Sequence, residues 1–494
     1  MEKSVLVLGG GIAGLYAALQ LADTGYPVIL VTDDPALGGK LIAGAVDSKA
    51  SCIWQGTLNI SALHLGGNLH AAPAVLGSFL LRAINHPRIH IYKQAKLIHA
   101  DGEVGSFRVR IGDAVTKTLL AEFKVGAIIL APGFDLFDAL GQGEFGYGRY
   151  RNVITSSEFE RQLAVNCLQG GFHRKSDGSH LHNVAFIQCV GSRNTALANE
   201  YCSSICCMFT AKETIMLKEI VPDVGITVFY MDTRACGKNF ETFLERAQQL
   251  GTQYVRCIPA DIKEDPVTEN LSIRYIAGGA EQDREFDLVI LAAGLRPAAS
   301  LHAVAGLLGI ALNNYGFVAV NPFRPELTSR DGIFVVGGGQ GPLDISETLS
   351  IAASAAAMTA GILGEPVSRS GLRPKARDLG QTEKLRIGVF LCRGGLEALG
   401  GATAAMEMAK KLEDVVVVAE NEFLCTPEHI ADMQQLIWKN DVNRVVVAPC
   451  ILKTNGLLFQ EAFEAAGINR MLIETVDILP GMSDCVSAKK TAAE

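Results

Sequence analysis

Val5-Leu6-Val7-Leu8-Gly9-Gly10-Gly11-Ile12-Ala13-Gly14 is the stretch on which the fold turns. Four apolar residues run into a glycine cluster, a helical pattern follows through Leu15, Ala18, Leu19 and Leu21, and a second apolar run stands at Val28 to Val31. Strand, glycine turn, helix and strand in that order make a βαβ unit. In such a unit Gly9 permits the tight turn, Gly11 lets the backbone approach a pyrophosphate, and Gly14 allows the helix to pack closely on the strand. The free N–H groups of the helix start, at Ile12 and Ala13, attract the anion. The turn is a candidate dinucleotide site, with a ligand-free glycine turn as the alternative.

Outward from that turn, Ala127-Ile128-Ile129-Leu130-Ala131-Pro132-Gly133 and Asp287-Leu288-Val289-Ile290-Leu291-Ala292-Ala293-Gly294 are two further strands that end in glycine. A third, Gly332 to Gly341, leads into a small-residue helix beyond Ser346 and offers a second helix N-terminus to the same cofactor. This predicts an α/β chain of two interleaved nucleotide-type domains. The order is similar to that of two-domain flavoproteins of the thioredoxin reductase type, a Rossmann-type fold with a discontinuous FAD domain. That resemblance implies FAD bound by the first and last elements, where Ala131, Gly133, Gly338, Gly339, Gln340 and Ile345 stand. The inserted segment has its strand at Val184 to Gln188, but Cys189-Val190-Gly191-Ser192-Arg193 follows in place of the pyrophosphate glycines. A nicotinamide cofactor is therefore not expected there.

The expected domains are 1–165, the first part of the FAD domain; 166–285, the inserted segment with clustered cysteines; 286–365, the second part; a polar, proline-bearing linker at 366–384; and a small parallel α/β domain at 385–494. With 44 Lys and Arg against 52 Asp and Glu, a net charge of −8 leaves no electrostatic footprint for a nucleic acid. Gly contributes 51 of 494 residues and Trp only two, which suits glycine turns beside helices. No export signal and no transmembrane segment are expected, so the chain is read as cytoplasmic and its 12 Cys as reduced thiols.

Cys202, Cys206 and Cys207 fall within one or two turns, and Cys189 comes from the preceding strand exit. Iron–sulfur clusters need thiolates converging in this way, and a helix opening at Cys202 to Met208 would favour the thiolate form. A vicinal disulfide at Cys206 and Cys207, a zinc site or inert buried thiols are the alternatives.

Ile187-Gln188-Cys189-Val190-Gly191-Ser192-Arg193-Asn194, Tyr201-Cys202-Ser203 and Cys206-Cys207-Met208 resemble the signature of the HdrA family of heterodisulfide reductase subunits, as do Tyr147-Gly148-Arg149-Tyr150, Val153-Ile154-Thr155-Ser156, Phe229-Tyr230-Met231-Asp232 and Gln340-Gly341-Pro342. The resemblance implies FAD, a [4Fe-4S] cluster on Cys189, Cys202, Cys206 and Cys207, and Lys212 near the flavin N5 as a catalytic cation. It also implies backbone contacts to FAD at Gly38-Gly39-Lys40. The acid that normally meets the ribose is replaced by Thr32, followed by Asp33 and Asp34, one of which serves after a small shift or merely solvates the turn.

The chain departs from long family members in lacking both ferredoxin modules, and so resembles the short forms of quinone-interacting membrane-bound oxidoreductase and heterodisulfide-reductase-like complexes. Its C-terminal domain resembles the module that opens the long members. Cys392, Cys425, Cys450 and Cys485 fit that module's ligand pattern incompletely, so docking is expected there rather than a second cluster. The expectation is a cytoplasmic flavoprotein subunit that links two-electron flavin chemistry to one-electron iron–sulfur transfer. Partner redox subunits, homodimers within the complex and membrane association only through a partner follow from the same resemblance. An NAD(P)H-dependent disulfide reductase and a non-catalytic FAD-binding scaffold are the competing readings.

Overall fold

The computed structural model describes residues 2–41, 86–166, 172–237, 240–367, 384–392, 402–421, 427–448 and 468–476, with a few single positions between them. The chain divides into two compact units, the larger holding 1–46 and 88–367 and the smaller holding 368–494. In the larger, the described helices are α1 (Ile12–Asp23), α2 (Ser156–Asn166), α3 (Cys206–Ile220), α4 (Phe240–Gln249), α5 (Leu301–Leu308) and α6 (Ile345–Leu363).

β1 (Val5–Leu8), β2 (Val28–Val31), β3 (Ile89–Tyr92), β7 (Ala127–Leu130) and β18 (Ile333–Val335) form a five-stranded parallel sheet in the order β18-β7-β1-β2-β3. Every residue of β1, β2 and β7 is buried, as in strands covered on both faces. α1 and α6 pack against each other beside this sheet. α6 is long and apolar enough to cross a bilayer, yet Ala352, Ala355, Ala356 and Thr359 are buried inside the fold. An antiparallel insertion of β4 (Ala95–Asp101), β5 (Phe107–Asp113) and β6 (Leu119–Val125) completes this half.

The plan then repeats. β9 (Val153–Thr155), β10 (Asn183–Val190), β11 (Gly225–Tyr230), β12 (Gln253–Arg256) and β16 (Leu288–Ala293) make a second parallel sheet, β12-β11-β10-β16-β9. It carries its own antiparallel insertion, β13 (Asp261–Glu264), β14 (Leu271–Ala277) and β15 (Ala280–Phe286), and the ribbon of β8 (Phe134–Leu136) with β17 (Leu295–Pro297) flanks it in sequence. β10 sits between β11 and β16 just as β1 sits between β2 and β7. The boundaries 166 and 285 are corrected by this sheet, because its outer strand β9 lies before the first and β16 after the second. Strand pairing, which the chain order alone does not reveal, decides where the inserted domain starts and stops.

In the smaller unit β19 (Ile387–Cys392), β20 (Val415–Asn421), β21 (Arg444–Ala448) and β22 (Ile473–Thr475) form a parallel sheet, β20-β19-β21-β22, with α7 (Ala402–Ala409) and α8 (Pro427–Lys439). Phe390, Ile430, Met433, Ile437, Val445, Val447, Phe459 and Phe463 form its core. Most of the linker expected at 366–384 lies outside the described residues, as do Cys425, Cys450, Cys485 and the Cys392 side chain.

Candidate functional site

At the exit of β1 the glycines divide into two kinds. Gly9 has φ +117°, where a Cβ would lie 2.0 Å from the Ala131 carbonyl oxygen, and a Cβ on Gly14 would lie 1.9 Å from the Gly9 carbonyl oxygen. These two are required by backbone packing. Gly11 is different, since a Cβ there meets nothing within 4 Å. It is the N-cap of α1, whose start has no side-chain cap and no acidic residue in its first turn. Open space before an uncapped helix start, with the N–H groups of Ile12 and Ala13 behind it, suits an anion.

The last segment closes around the same place. A Cβ on Gly338 would lie 2.9 Å from the Gly133 carbonyl oxygen, one on Gly337 would lie 3.0 Å from the Ala13 Cβ, and one on Gly339 would lie 2.6 Å from Pro132. Ala131, Gly133, Gly338 and Gly339 are thus brought beside the start of α1 although some 200 residues separate the pairs in sequence. Gln340 Nε2 is buried with no hydrogen-bond partner, a donor that needs an acceptor. Free helix amides, close glycine backbone and an unused donor fit FAD.

The structure adds detail at further positions of this cradle. Ile345 opens α6, but that helix start is closed by a capping box: Asp344 accepts from the Glu347 N–H at 2.7 Å, and Glu347 accepts from the Asp344 N–H at 2.9 Å. Two carboxylates there oppose a phosphate. The Asp-x-x-Glu spacing is itself the signal for this cap. Thr32 is buried against Gly10, and its Oγ1 accepts from the Asp34 N–H, so it shapes the turn. Asp33 and Asp34 both reach the surface, and the Asp34 carboxyl is held above its usual range, by partial burial first and then by the charge of Asp33. Gly39, at φ +58°, brings its turn against Gly11, and the exposed Lys40 amine pairs with Asp135 at 2.9 Å.

At the exit of β10 the backbone is strained. Cys189, Arg193, Ala198 and Ser204 are four of the nine non-glycine residues with positive φ among the described residues, and Gly191 joins them at +73°. α3 begins only at Cys206, so Cys202 lies on the loop before it rather than in the helix. Gln142 Oε1 accepts from the Gly191 N–H at 2.7 Å, the Asn199 amide donates to the Gly191 carbonyl, and the Tyr201 hydroxyl donates to the Leu295 carbonyl at 2.8 Å. These bonds fix the loop over the sheet end.

The loop gathers the four thiols. Cys189 and Cys206 are buried and Cys202 and Cys207 partly so, all of them free thiols, and each of the six pairs is close enough for charge to act between its members. Burial pushes the Cys189 thiol up to about 11, with Cys207 adding to the rise and Arg193 opposing it. Burial likewise raises Cys206 well above its ordinary value. Such thiols need a positive ligand to be thiolates. The start of α3, without acid in its first turn, and N–H donors from Ser204 to Cys202 Sγ at 3.3 Å and from Arg234 to Cys207 Sγ at 3.4 Å favour the anions. Among the described residues no three His, Cys, Asp or Glu side chains stand as close as a single metal ion requires. One ion bound at about 2.3 Å needs thiolates within roughly 4.6 Å of each other. A multi-iron cluster spaces its thiolates more widely than one ion does.

At the matching position of the second sheet stands an ion pair. Asp232, just beyond β11 where an acid would take a ribose, is gripped by the Arg193 guanidinium.

Residues 4–128 match the family described as FAD dependent oxidoreductase. The HdrA iron-sulfur component of the CoB--CoM heterodisulfide reductase of Methanocaldococcus jannaschii is 33% identical over 72% of this chain and 64% of its own length. The HdrA component of the H(2)/formate:CoB-CoM heterodisulfide,ferredoxin reductase of Methanococcus maripaludis is 31% identical over 73% of this chain and 64% of its own. The chain belongs to the HdrA-like heterodisulfide reductase family. It spans a little under two thirds of the length of these relatives. A thioredoxin reductase from T. acidophilum aligns with a TM-score of 0.47 at 17% identity, over 73% of this chain and 99% of that one.

In this HdrA-like chain Lys212, expected near the flavin N5, stands on α3, the helix that follows the clustered cysteines. Its side chain is fully buried between α2 and α3 and paired with Glu160, itself 4% exposed, so it faces no opening through which a cofactor could be reached. Burial lowers its pKa, against the pull of Glu160 and Glu213. Glu213 beside it is wholly buried, with the Ser156 hydroxyl and the Glu160 carboxylate against its carboxyl. Burial first, then the charge of Glu160, holds Glu213 well above its ordinary value, towards the neutral acid. No sequence motif marks this group, because its members are 52 residues apart.

Proposed function

We propose that this chain is an electron-transfer subunit carrying FAD and a [4Fe-4S] cluster, part of a cytoplasmic heterodisulfide-reductase-like or quinone-interacting oxidoreductase complex in which it is a homodimer beside other redox subunits. The observation that carries this reading is the convergence of Cys189, Cys202, Cys206 and Cys207 at one sheet exit, in the unit that also holds the open glycine turn. FAD supplies the exchange between two-electron and one-electron chemistry. Ile12 and Ala13 donate to the pyrophosphate in the space before Gly11, while Gly9 and Gly14 keep strand and helix close enough to aim those amides. Gly133, Gly338 and Gly339 let backbone approach the dinucleotide, and the Gln340 amide donates to it. The four thiols hold the cluster as thiolates, supported by the α3 start.

A nicotinamide-dependent disulfide reductase is disfavoured by the Arg193–Asp232 contact and by a sequence without Cys-x-x-Cys. The test is flavin, iron and acid-labile sulfide content of anaerobically purified protein, with EPR after dithionite reduction. One FAD with about four iron and a reduced-cluster signal is expected. FAD without iron overturns the cluster, and about eight iron assigns a second one to the C-terminal cysteines. Cys206→Ala should lose its iron and retain FAD.

A further inference from the structure

One cation is built into the loop that carries Cys189. Arg193 follows that cysteine by four residues, at φ +55°, and its guanidinium forks onto Asp232, with Nη1 donating to Oδ1 and Nη2 to Oδ2 at 3.1 Å. Asp232 also touches the other side of the thiol group, since Cys207 Sγ lies 3.8 Å from its carbonyl oxygen. The Arg193 main-chain N–H donates to the Tyr201 carbonyl at 3.0 Å, next to Cys202. Side chain and backbone thus tie Arg193 to all three cysteine-bearing segments.

The side chain is 21% exposed, so water screens it weakly. A guanidinium has five N–H donors and Asp232 takes two, leaving donors for sulfur. It also stands near enough to the Cys189 thiol for charge to act between them. Reducing a thiolate-bound cluster by one electron adds negative charge to its sulfurs, and a fixed cation with N–H donors stabilises that state more than the oxidised one. Arg234 stands 3.5 Å from Asp232 as well but is 45% exposed, and its main-chain N–H is what reaches Cys207.

We propose that Arg193, locked by Asp232, donates to the Cys189 sulfur and raises the reduction potential of the cluster on Cys189, Cys202, Cys206 and Cys207. This rests on the cluster reading above. The experiment is an EPR-monitored redox titration of the anaerobic full-length protein, wild type beside Arg193→Gln and Arg193→Lys. At unchanged iron and FAD content, Arg193→Gln should be about tenfold harder to reduce, a shift of about 59 mV to more negative potential for one electron. Arg193→Lys keeps the charge without the fork and should shift less.

A purely structural role would lower iron content or melting temperature without moving the midpoint of the clusters that remain. A second readout needs no variant: with arginine labelled with ¹⁵N in its guanidinium, pulsed EPR of the reduced wild type should show a nitrogen coupling. A wild type without iron sinks the cluster reading and this inference together. A wild type with a cluster, no ¹⁵N coupling and an unmoved Arg193→Gln midpoint sinks this inference alone.

Discussion

β1 and β10 each occupy the middle of a five-stranded parallel sheet, and each runs through glycine toward a helix. After β1 three residues suffice, Gly9 to Gly11, and the helix start is left bare. After β10 the chain takes 15 residues, 191 to 205, and folds them over the sheet end with four left-handed non-glycine residues nearby. One exit is made of missing side chains and presents backbone N–H groups. The other is filled with thiols, a guanidinium and a carboxylate. Each sheet places its site at the carboxyl ends of its strands, where open α/β folds hold ligands.

The strongest way to break the comparison is to add a side chain at the first exit. Gly14→Val drives a Cβ toward the Gly9 carbonyl oxygen and should destabilise by more than about 4 kcal/mol, as overpacking against backbone does. Gly11→Val fills open space instead, so its melting temperature should stay within a few degrees of flavin-stripped wild type while the flavin absorbance of the purified protein is lost. Equal instability in both variants would mean that Gly11 is packed and the cradle is not open.

A buried ion pair beneath the second exit gives the next effect. Lys212→Met leaves Glu160 without its cation and should cost about 3–5 kcal/mol in urea unfolding, most of it recovered in Glu160→Gln/Lys212→Met. If the single variant is as stable as wild type, the amine is not in that interior.

The smallest effect sharpens the same region by pH. Glu213 has a folded pKa above its unfolded one, near 4.5, so the folded state holds its proton longer and stability falls as pH rises from 4.5 toward the folded value. The slope is at most about 1.4 kcal/mol per pH unit for one proton. Glu160, Lys212 and Ser156 face it, and Glu213→Gln keeps all three, so the variant's stability should gain on wild type as pH increases through that window. Parallel stability curves for the two proteins would show that Glu213 titrates normally.

Much of this was written locally in the chain. The glycines after β1 and the alternation of short apolar runs with helical patterns reported the α/β architecture, because glycine turns and periodicity act over a few residues. The cysteine set was equally legible, since three of its members sit within six residues. Even the cap of α6 stood in the sequence, in Asp344 and Glu347, although the glycines before it and the small residues after it also match an open helix start. Domain limits were less legible, since β9 joins the second sheet through pairing with β16, more than 130 residues later.

The sequence by itself determined the glycine turn and the thiol inventory, each a property of residue types at short spacing. Only the tertiary structure decided which charges meet: Lys212 with Glu160 across 52 residues, and Arg193 with Asp232 across 39. The reason is physical. A turn or helix start is selected by neighbours along the chain, whereas an ion pair depends on two packed elements delivering their side chains to one desolvated point, and no local pattern encodes that meeting.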